Sequence, residues 1–389
     1  MTSGEKSDIA TDKGRHWDAK TIAFTGGGTG GHIYPGLAVI EALRNMGFAG
    51  RIFWIGSKKP LEREIVTKHG IEFYSIASGK LRRSFSFENF IDLFRIIAGY
   101  SAAHALLAKT KPDVLFSKGG YVSVPPCRAA ARLGIPYVTH ESDASPGLAT
   151  RLNAGKAARI LVSWPSTVKY FNSKTKNVFA CGNPVRPSLL ASNPEKGRKL
   201  LGAPDSLPIV IFLGGSQGSR QINELVREAL PLLEGKAFVV HQTGSVHFDP
   251  KAHAAIPGRY LAKPYFSEEM GDVLASAKVA VGRSGAGMVW ECASLGIPMI
   301  LIPLAGSGTR GDQVENAQLA TEAQAARVLS GDALNGQAVA SAILGYLEDE
   351  EAWEQAHQAA LKLAGIERDD GNRTTSADYI AEMLLNMIS

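Results

Sequence analysis

Residues 21–32 read TIAFTGGGTGGH: the β-forming run Thr21 to Thr25, then Gly26-Gly27-Gly28-Thr29-Gly30-Gly31, then His32. Leu37 to Leu43 follow with apolar residues at helical spacing. Strand, glycine turn and helix in that order open a parallel α/β unit. The same order starts again at Ile209 to Leu213 (IVIFL), with Gly214-Gly215-Ser216-Gln217-Gly218 and the helical pattern Ile222 to Leu233 behind it. One architecture is written twice in the chain.

Working outward, short apolar strands alternate with helices in both halves. The first half carries Arg51 to Ile55, Val114 to Ser117, Tyr137 to His140 and Arg159 to Val162; the second carries Phe238 to Gln242, Val279 to Gly282 and Met299 to Ile302. Such alternation predicts α/β doubly wound sheets whose ligands lie at the carboxyl ends of the strands, in a cleft between two domains. The linker falls at Cys181-Gly182-Asn183-Pro184-Val185-Arg186-Pro187, ahead of a polar stretch. We therefore expect a disordered leader at 1–20, one domain at 21–187 and another at 188–371. A last helix near Thr375 to Met387, within 372–389, can pack on either domain.

Length and composition agree with two folded domains. The chain has 389 residues, 45% hydrophobic and 20% charged, which excludes disordered, collagenous and coiled-coil classes. No apolar run reaches the roughly 18 residues of a spanning helix. Cys127, Cys181 and Cys292 lack metal or disulfide spacing, so a reducing cytoplasm is the expected compartment. Lys and Arg exceed Asp and Glu by 42 to 37, a net charge of +5 that favours anionic partners. No nucleic-acid-binding signature is present, and nucleic acid is not an expected partner.

The candidate chemistry sits in the loops. GGGTGGH lacks the lysine of a P-loop and the acidic residue of a dinucleotide fingerprint. Its small residues admit close approach to the backbone, and its N–H groups with the helix behind suit a pyrophosphate, although a tight βα turn would use the same glycines. His32 stands where an imidazole can take a proton from a hydroxyl or donate to a phosphate. GGSQGS at 214–219 offers amides and the Ser216 hydroxyl to a second phosphate. In Gly282 to Glu291 a strand opens through a glycine turn into a helix, with Glu291 placed to accept from both hydroxyls of a ribose. Gln313 and Asn316 share a helix face suited to hydroxyl recognition. Glu141 and Asp143 end a strand where α/β folds keep their chemistry, and Tyr121 follows the glycine pair 119–120 as either a hydrogen-bonding phenol or a packed ring.

The ordered set TGGGTGGHIYPGLAV, SKGGYVSVP, HESDASPGLA, GNPVR, GGSQGS, RSGAGMVWE and DQVENA, spread over about residues 21–330, resembles the MurG family of bacterial peptidoglycan glycosyltransferases. The resemblance implies the GT-B fold, two Rossmann-like doubly wound domains with an interdomain cleft. It implies inverting transfer of N-acetylglucosamine from UDP-N-acetylglucosamine to lipid I, undecaprenyl-pyrophosphoryl-MurNAc-pentapeptide, giving lipid II. Carried over by residue, donor contacts fall on Gly28, Thr29, Gly30, Asp143, Arg186, Ser216, the backbone near Phe266, Ala286, Gly287, Met288, Glu291 and Gln313. His32 and Glu141 fall on the catalytic side, with Tyr121 toward the acceptor. His32 is the leading candidate for the base, with Glu141 or Asp143 as competitors. Asp143 stands where many relatives have Asn, and Met288 where many have Thr, which removes one side-chain contact to phosphate.

No DxD-type motif stands beside a nucleotide loop, so dipoles and arginine, without a cofactor or obligatory metal, are expected to neutralise the donor phosphates. A lipid-linked acceptor implies peripheral contact with an anionic membrane at its cytoplasmic face, alongside proteins of cell-wall synthesis. The basic and aromatic segment Leu81 to Ile91 is the docking candidate, unless its rings belong to the core. The alternatives are another GT-B UDP-sugar transferase, a UDP-N-acetylglucosamine epimerase, or a non-catalytic UDP-sugar binder.

Overall fold

The computed structural model describes residues 17–79, 87–171, 177–215, 218–304, 306, 311–367 and 373–389, and leaves the side chains of 87–91, 93 and 367 outside that description. The chain divides into two compact units: Met1–Pro187 with Ile366–Ser389, and Ser188–Gly365. The last 24 residues thus return to the first unit, and the second ends at 365 instead of the expected 371.

Among the described residues the first unit holds a seven-stranded parallel sheet: β1 (Thr21–Thr25), β2 (Arg51–Gly56), β3 (Glu72–Ser75), β4 (Val114–Ser117), β5 (Tyr137–Glu141), β6 (Arg159–Val162) and β7 (Val178–Ala180), in the order β3-β2-β1-β4-β5-β6-β7. The second unit holds β8 (Ile209–Leu213), β9 (Phe238–Gln242), β10 (Tyr260–Lys263), β11 (Ala277–Gly282), β12 (Met299–Leu301) and β13 (Ala326–Val328), in the order β10-β9-β8-β11-β12-β13. Counted from its own first strand, each sheet runs 3-2-1-4-5-6, the dinucleotide-fold order, with a seventh strand added at the end of the first, so the switch point lies beside the first and fourth strands. The loops of interest leave β1 and β4 in one unit and β8 and β11 in the other.

The central strands are continuous apolar runs buried on both faces, as helix-covered parallel strands must be: Ile22, Ala23 and Phe24 in β1, and Ile209 to Leu213 in β8. Four edge strands, β3, β7, β10 and β13, had no counterpart in the sequence reading. Each has three or four residues and is only partly buried, so it lacks the long apolar run that marks a central strand.

The first unit closes tightly. Gly36, in the helix Tyr34–Asn45, lies against Trp54 of β2; a Cβ there would stand 2.5 Å from Trp54 Cη2. The helix Ser376–Ile388 buries Ala377, Ile380, Ala381, Leu384, Leu385 and Ile388 in the same core, at the spacing of one helix face. Thr375 caps it through Asp378 N at 3.0 Å. The expected leader is shorter at its inner end. Trp17 packs on this core and its carbonyl accepts from Lys20 N, because an indole gains more by burial than by solvation. Residues 1–16 lie outside the described residues. So do 81–86 of the docking segment, whose remainder enters the helix Phe87–Thr110.

Candidate active site

In the first unit the loops after β1 and β4 interlock. Gly120, at φ +75°, leaves no room for a side chain: a Cβ would meet Gly27 O at 2.5 Å and the His32 ring at 3.0 Å. The imidazole therefore lies over the Gly119-Gly120 turn, half-buried, behind the short 3-10 turn Gly30–His32. Tyr121 lies over Gly28, whose φ of +97° only glycine adopts at ease. Thr29 is exposed at the loop tip, and Gly30 packs on Tyr34. The Arg186 guanidinium stacks on that Tyr34 ring, 5.4 Å from its centroid, with its Nε buried and without a hydrogen-bond partner. Gly30, Tyr34 and Arg186 thus form one cationic surface at the start of a helix.

Two carboxylates organise these loops, and they correct two expectations. Glu62, absent from the sequence reading, is buried and accepts from Gly28 N at 2.7 Å and Ser57 N at 2.8 Å. The Gly28 amide assigned to a diphosphate is thereby engaged by the protein itself. Glu141 is also buried; its oxygens accept from Ser142 N (3.0 Å), Asp143 N (3.2 Å), Gly147 N (2.9 Å) and Thr150 Oγ1 (2.6 Å). A carboxylate with four donors from its own loop shapes that loop, and is poorly placed to take a substrate proton. Asp143 sits on the turn so formed, partly exposed. Beneath it is Lys118, fully buried, its ammonium donating to Ser142 Oγ. Burial pushes Lys118 down to about 8 against the pull of Glu141, Asp143 and Cys181. Neighbouring His140 is held well below its usual range by burial and by Lys118, and its Nε2 bonds Gly182 O at 2.9 Å.

In the second unit the strand-end loops are tied by amides, hydroxyls and one arginine. Ser219 caps the helix Arg220–Ala229. Arg283 reaches Ser219 Oγ (2.9 Å), Gln221 Oε1 (2.9 Å) and Ile302 O (3.1 Å), bracing the loops after β8, β11 and β12; burial lowers its pKa. Ser284 donates to Gln313 O at 2.7 Å and accepts at its carbonyl from Asn316 Nδ2 at 3.1 Å, so fully buried Asn316 is a brace, not a free amide for a substrate hydroxyl. Gln313 Oε1 accepts from Leu304 N at 3.0 Å. The Phe266 amide donates to Gln242 Oε1 at 3.0 Å. Ser216 lies outside the described residues.

The helix Ala286–Ser294 has a different start. Gly285 is its N-cap, no side chain caps it, and its first turn has no acidic residue. The Ala286, Gly287 and Met288 amides therefore point out of a helix N-terminus that still wants an anion. A Cβ on Gly287 would meet nothing within 4 Å, and Met288 instead folds its sulfur against Gly282. Glu291, partly exposed, follows in the second turn.

Family models match both halves: the glycosyltransferase family 28 N-terminal domain over residues 22–162 and its C-terminal domain over 209–369. The chain belongs to glycosyltransferase family 28. Among curated relatives, the UDP-N-acetylglucosamine–N-acetylmuramyl-(pentapeptide) pyrophosphoryl-undecaprenol N-acetylglucosamine transferase of Treponema denticola is 45% identical over 331 residues, 80% of this chain and 84% of that one. The enzyme of that name from Clostridium perfringens is 38% identical over 345 residues, covering 89% and 94%. Acinetobacter baumannii MurG superposes with a TM-score of 0.68 at 22% identity, over 94% of this chain and 99% of that one. The calicheamicin glycosyltransferase CalG4 does so at 0.67 and 16%, over 95% and 98%. At these identities the structures speak for the GT-B fold alone. This family 28 glycosyltransferase has no helix among its described residues that is long and apolar enough to cross a membrane.

Proposed function

We propose that the chain transfers N-acetylglucosamine from UDP-N-acetylglucosamine to undecaprenyl-pyrophosphoryl-N-acetylmuramyl-pentapeptide and releases UDP. The observation that carries this reading is the 45% identity, over four-fifths of the chain, to a transferase of that name. In the reaction an acceptor hydroxyl oxygen bonds to the anomeric carbon as the bond to the β-phosphate oxygen breaks, which inverts the centre. The hydroxyl proton goes to a base, and the departing UDP takes the electron pair.

Features of each unit suit several of these roles. The uncapped N-terminus at Ala286, Gly287 and Met288 suits the developing charge on UDP, and the partner-less Nε of Arg186 suits a phosphate oxygen. Glu291 is the ribose acceptor in this reading, and Ser216, Gln313 and the Phe266 carbonyl complete the nucleotide contacts. Gly28, Thr29, Gly30 and Asp143 face the sugar. His32 takes the hydroxyl proton, since Glu141 is saturated by its own loop. Amides and a guanidinium balance the diphosphate, without a cofactor or metal in the scheme. A lipid-linked acceptor puts the protein at the cytoplasmic membrane surface; the exposed Leu61, Phe94 and Ile97 of the first unit are consistent with that.

Purified protein incubated with radiolabelled UDP-N-acetylglucosamine and a lipid I analogue should yield a labelled lipid product. UDP release should require both substrates. Release of UDP with free sugar in the absence of acceptor overturns the transferase reading. His32→Ala should lower turnover by about 10²- to 10⁴-fold with little change in donor affinity; near-normal turnover removes His32 as the base.

A further inference from the structure

We infer that His140 and Ser142 are positioning residues: from the end of β5 they clamp Gly182 and Asn183, and so set where the Arg186 guanidinium stands. The inference rests on the proposed reading of Arg186 as a contact to the donor phosphates. Every group in the clamp belongs to the first unit. The His140 ring is fully buried and its Nε2 lies 2.9 Å from Gly182 O, so Nε2 carries the proton and donates it. Burial, aided by Lys118, holds the imidazole well below its usual range and therefore neutral. Its Nδ1 is buried without a partner, a cost that an apolar side chain would avoid, so the carbonyl it grips is the reason for a histidine at this place. Two residues on, Ser142 Oγ donates to Asn183 Oδ1 at 3.0 Å. The Lys118 ammonium donates into the same serine oxygen, which leaves the serine proton for Asn183.

The clamped segment is stiffly joined to Arg186. It leaves β7 through Cys181, whose N–H still donates to Val162 O at 2.9 Å, and turns at Gly182, with φ at +68°. Asn183 precedes Pro184 and Arg186 precedes Pro187, which disfavours the helical region for both, and Pro184 has its own φ fixed by the ring. Val185 between them is buried. Few torsions are therefore free between the Asn183 anchor and the guanidinium. Arg186 stacks on Tyr34, and its buried Nε makes no hydrogen bond, so its direction follows from the backbone that the clamp holds and from the Tyr34 ring. A shift at Gly182 or Asn183 is passed on to the one cation of this surface that the proposed reaction uses.

The test is calorimetry of UDP binding to the full chain, run as a double-mutant cycle with Arg186. His140→Leu should weaken UDP about tenfold, and His140→Gln, whose amide donates where Nε2 did, should stay within about threefold of the wild type. On an Arg186→Met background His140→Leu should change the affinity by less than about twofold, because no guanidinium is left to misplace. An equal loss on both backgrounds overturns the inference, since a merely structural histidine acts whether or not Arg186 is present. A glutamine variant as weak as the leucine variant also overturns it. Ser142→Ala, a smaller change, should weaken UDP about threefold and show the same dependence on Arg186; it decides the matter where His140→Leu fails to fold. If the wild-type chain binds no UDP, the proposed donor site falls, and the clamp is read from the NMR signal of the Arg186 Nε–H group, identified by its loss in Arg186→Met. That signal should move in His140→Leu and in Ser142→Ala, and a signal unmoved in both overturns the inference.

Discussion

The two units place glycine loops at equivalent strand ends and satisfy them by opposite means. After β1 the loop amides meet a carboxylate of the protein: Gly28 N bonds Glu62, and the turn after β5 closes on Glu141. After β8 and β11 the braces are amides, hydroxyls and Arg283, while the helix Ala286–Ser294 begins with neither cap nor acid. The loops after β1 and β5 thus close on carboxylates of the protein, whereas the helix after β11 starts without one. A glycine-rich βα turn is therefore an anion-binding scaffold whose occupant depends on side chains tens of residues away.

The hardest way to break the comparison is to remove the internal anion. Glu62→Ala strands the Gly28 and Ser57 amides and should cost about 4 kcal/mol of stability in urea unfolding, while Glu62→Gln, with one acceptor oxygen, should lose about half of that. Equal stability in all three proteins would show that the β1 loop does not depend on its carboxylate.

The next effect makes the second unit resemble the first. Gly287→Asp places an acid in the first turn of Ala286–Ser294, where a Cβ meets nothing within 4 Å. The helix itself should gain about 0.5 kcal/mol from the dipole. Affinity for UDP should fall about 100-fold, since the new carboxylate sits a few ångströms from the diphosphate's place. Calorimetry with UDP and thermal unfolding should therefore move in opposite directions. Unchanged UDP affinity would remove the diphosphate from this helix.

The sequence disclosed the contrast only in part. Thr21–Thr25 and Ile209–Leu213 were legible because central parallel strands are unbroken apolar runs with a glycine turn behind them. The edge strands Glu72–Ser75 and Tyr260–Lys263 were not, since half-exposed residues carry no such run. His32, Gly287 and Glu291 could be singled out because they lie in or just behind glycine turns, and Asp143 because it stands at the carboxyl end of a strand. Glu62 and Lys118 could not. Glu62 sits in PLEREIVTK, which reads as a solvated helix, and its partner Gly28 is 34 residues away. Lys118 is a lysine in a glycine-rich loop, and nothing local announces that its ammonium is buried against Ser142. Buried charge is a property of the assembled sheet, visible once β4 to β7 are ordered side by side.

The smallest effect sharpens the second unit's side. Ser219 Oγ accepts from Ile222 N at 3.3 Å and from Arg283 Nη2 at 2.9 Å, so Ser219→Ala removes a cap and one end of a brace. Arg283 keeps Gln221 and Ile302, and the freed helix amide lies where a capping hydroxyl is usually worth about 1 kcal/mol. Urea unfolding should therefore show a loss near 1 kcal/mol, a fraction of that for Glu62→Ala. The reason is physical: a neutral hydroxyl is one of several interchangeable ties, whereas the buried Glu62 is the acceptor for two loop amides. A loss for Ser219→Ala as large as that for Glu62→Ala would mean that both units depend equally on one acceptor per loop, and the division between self-supplied and awaited anions would fail.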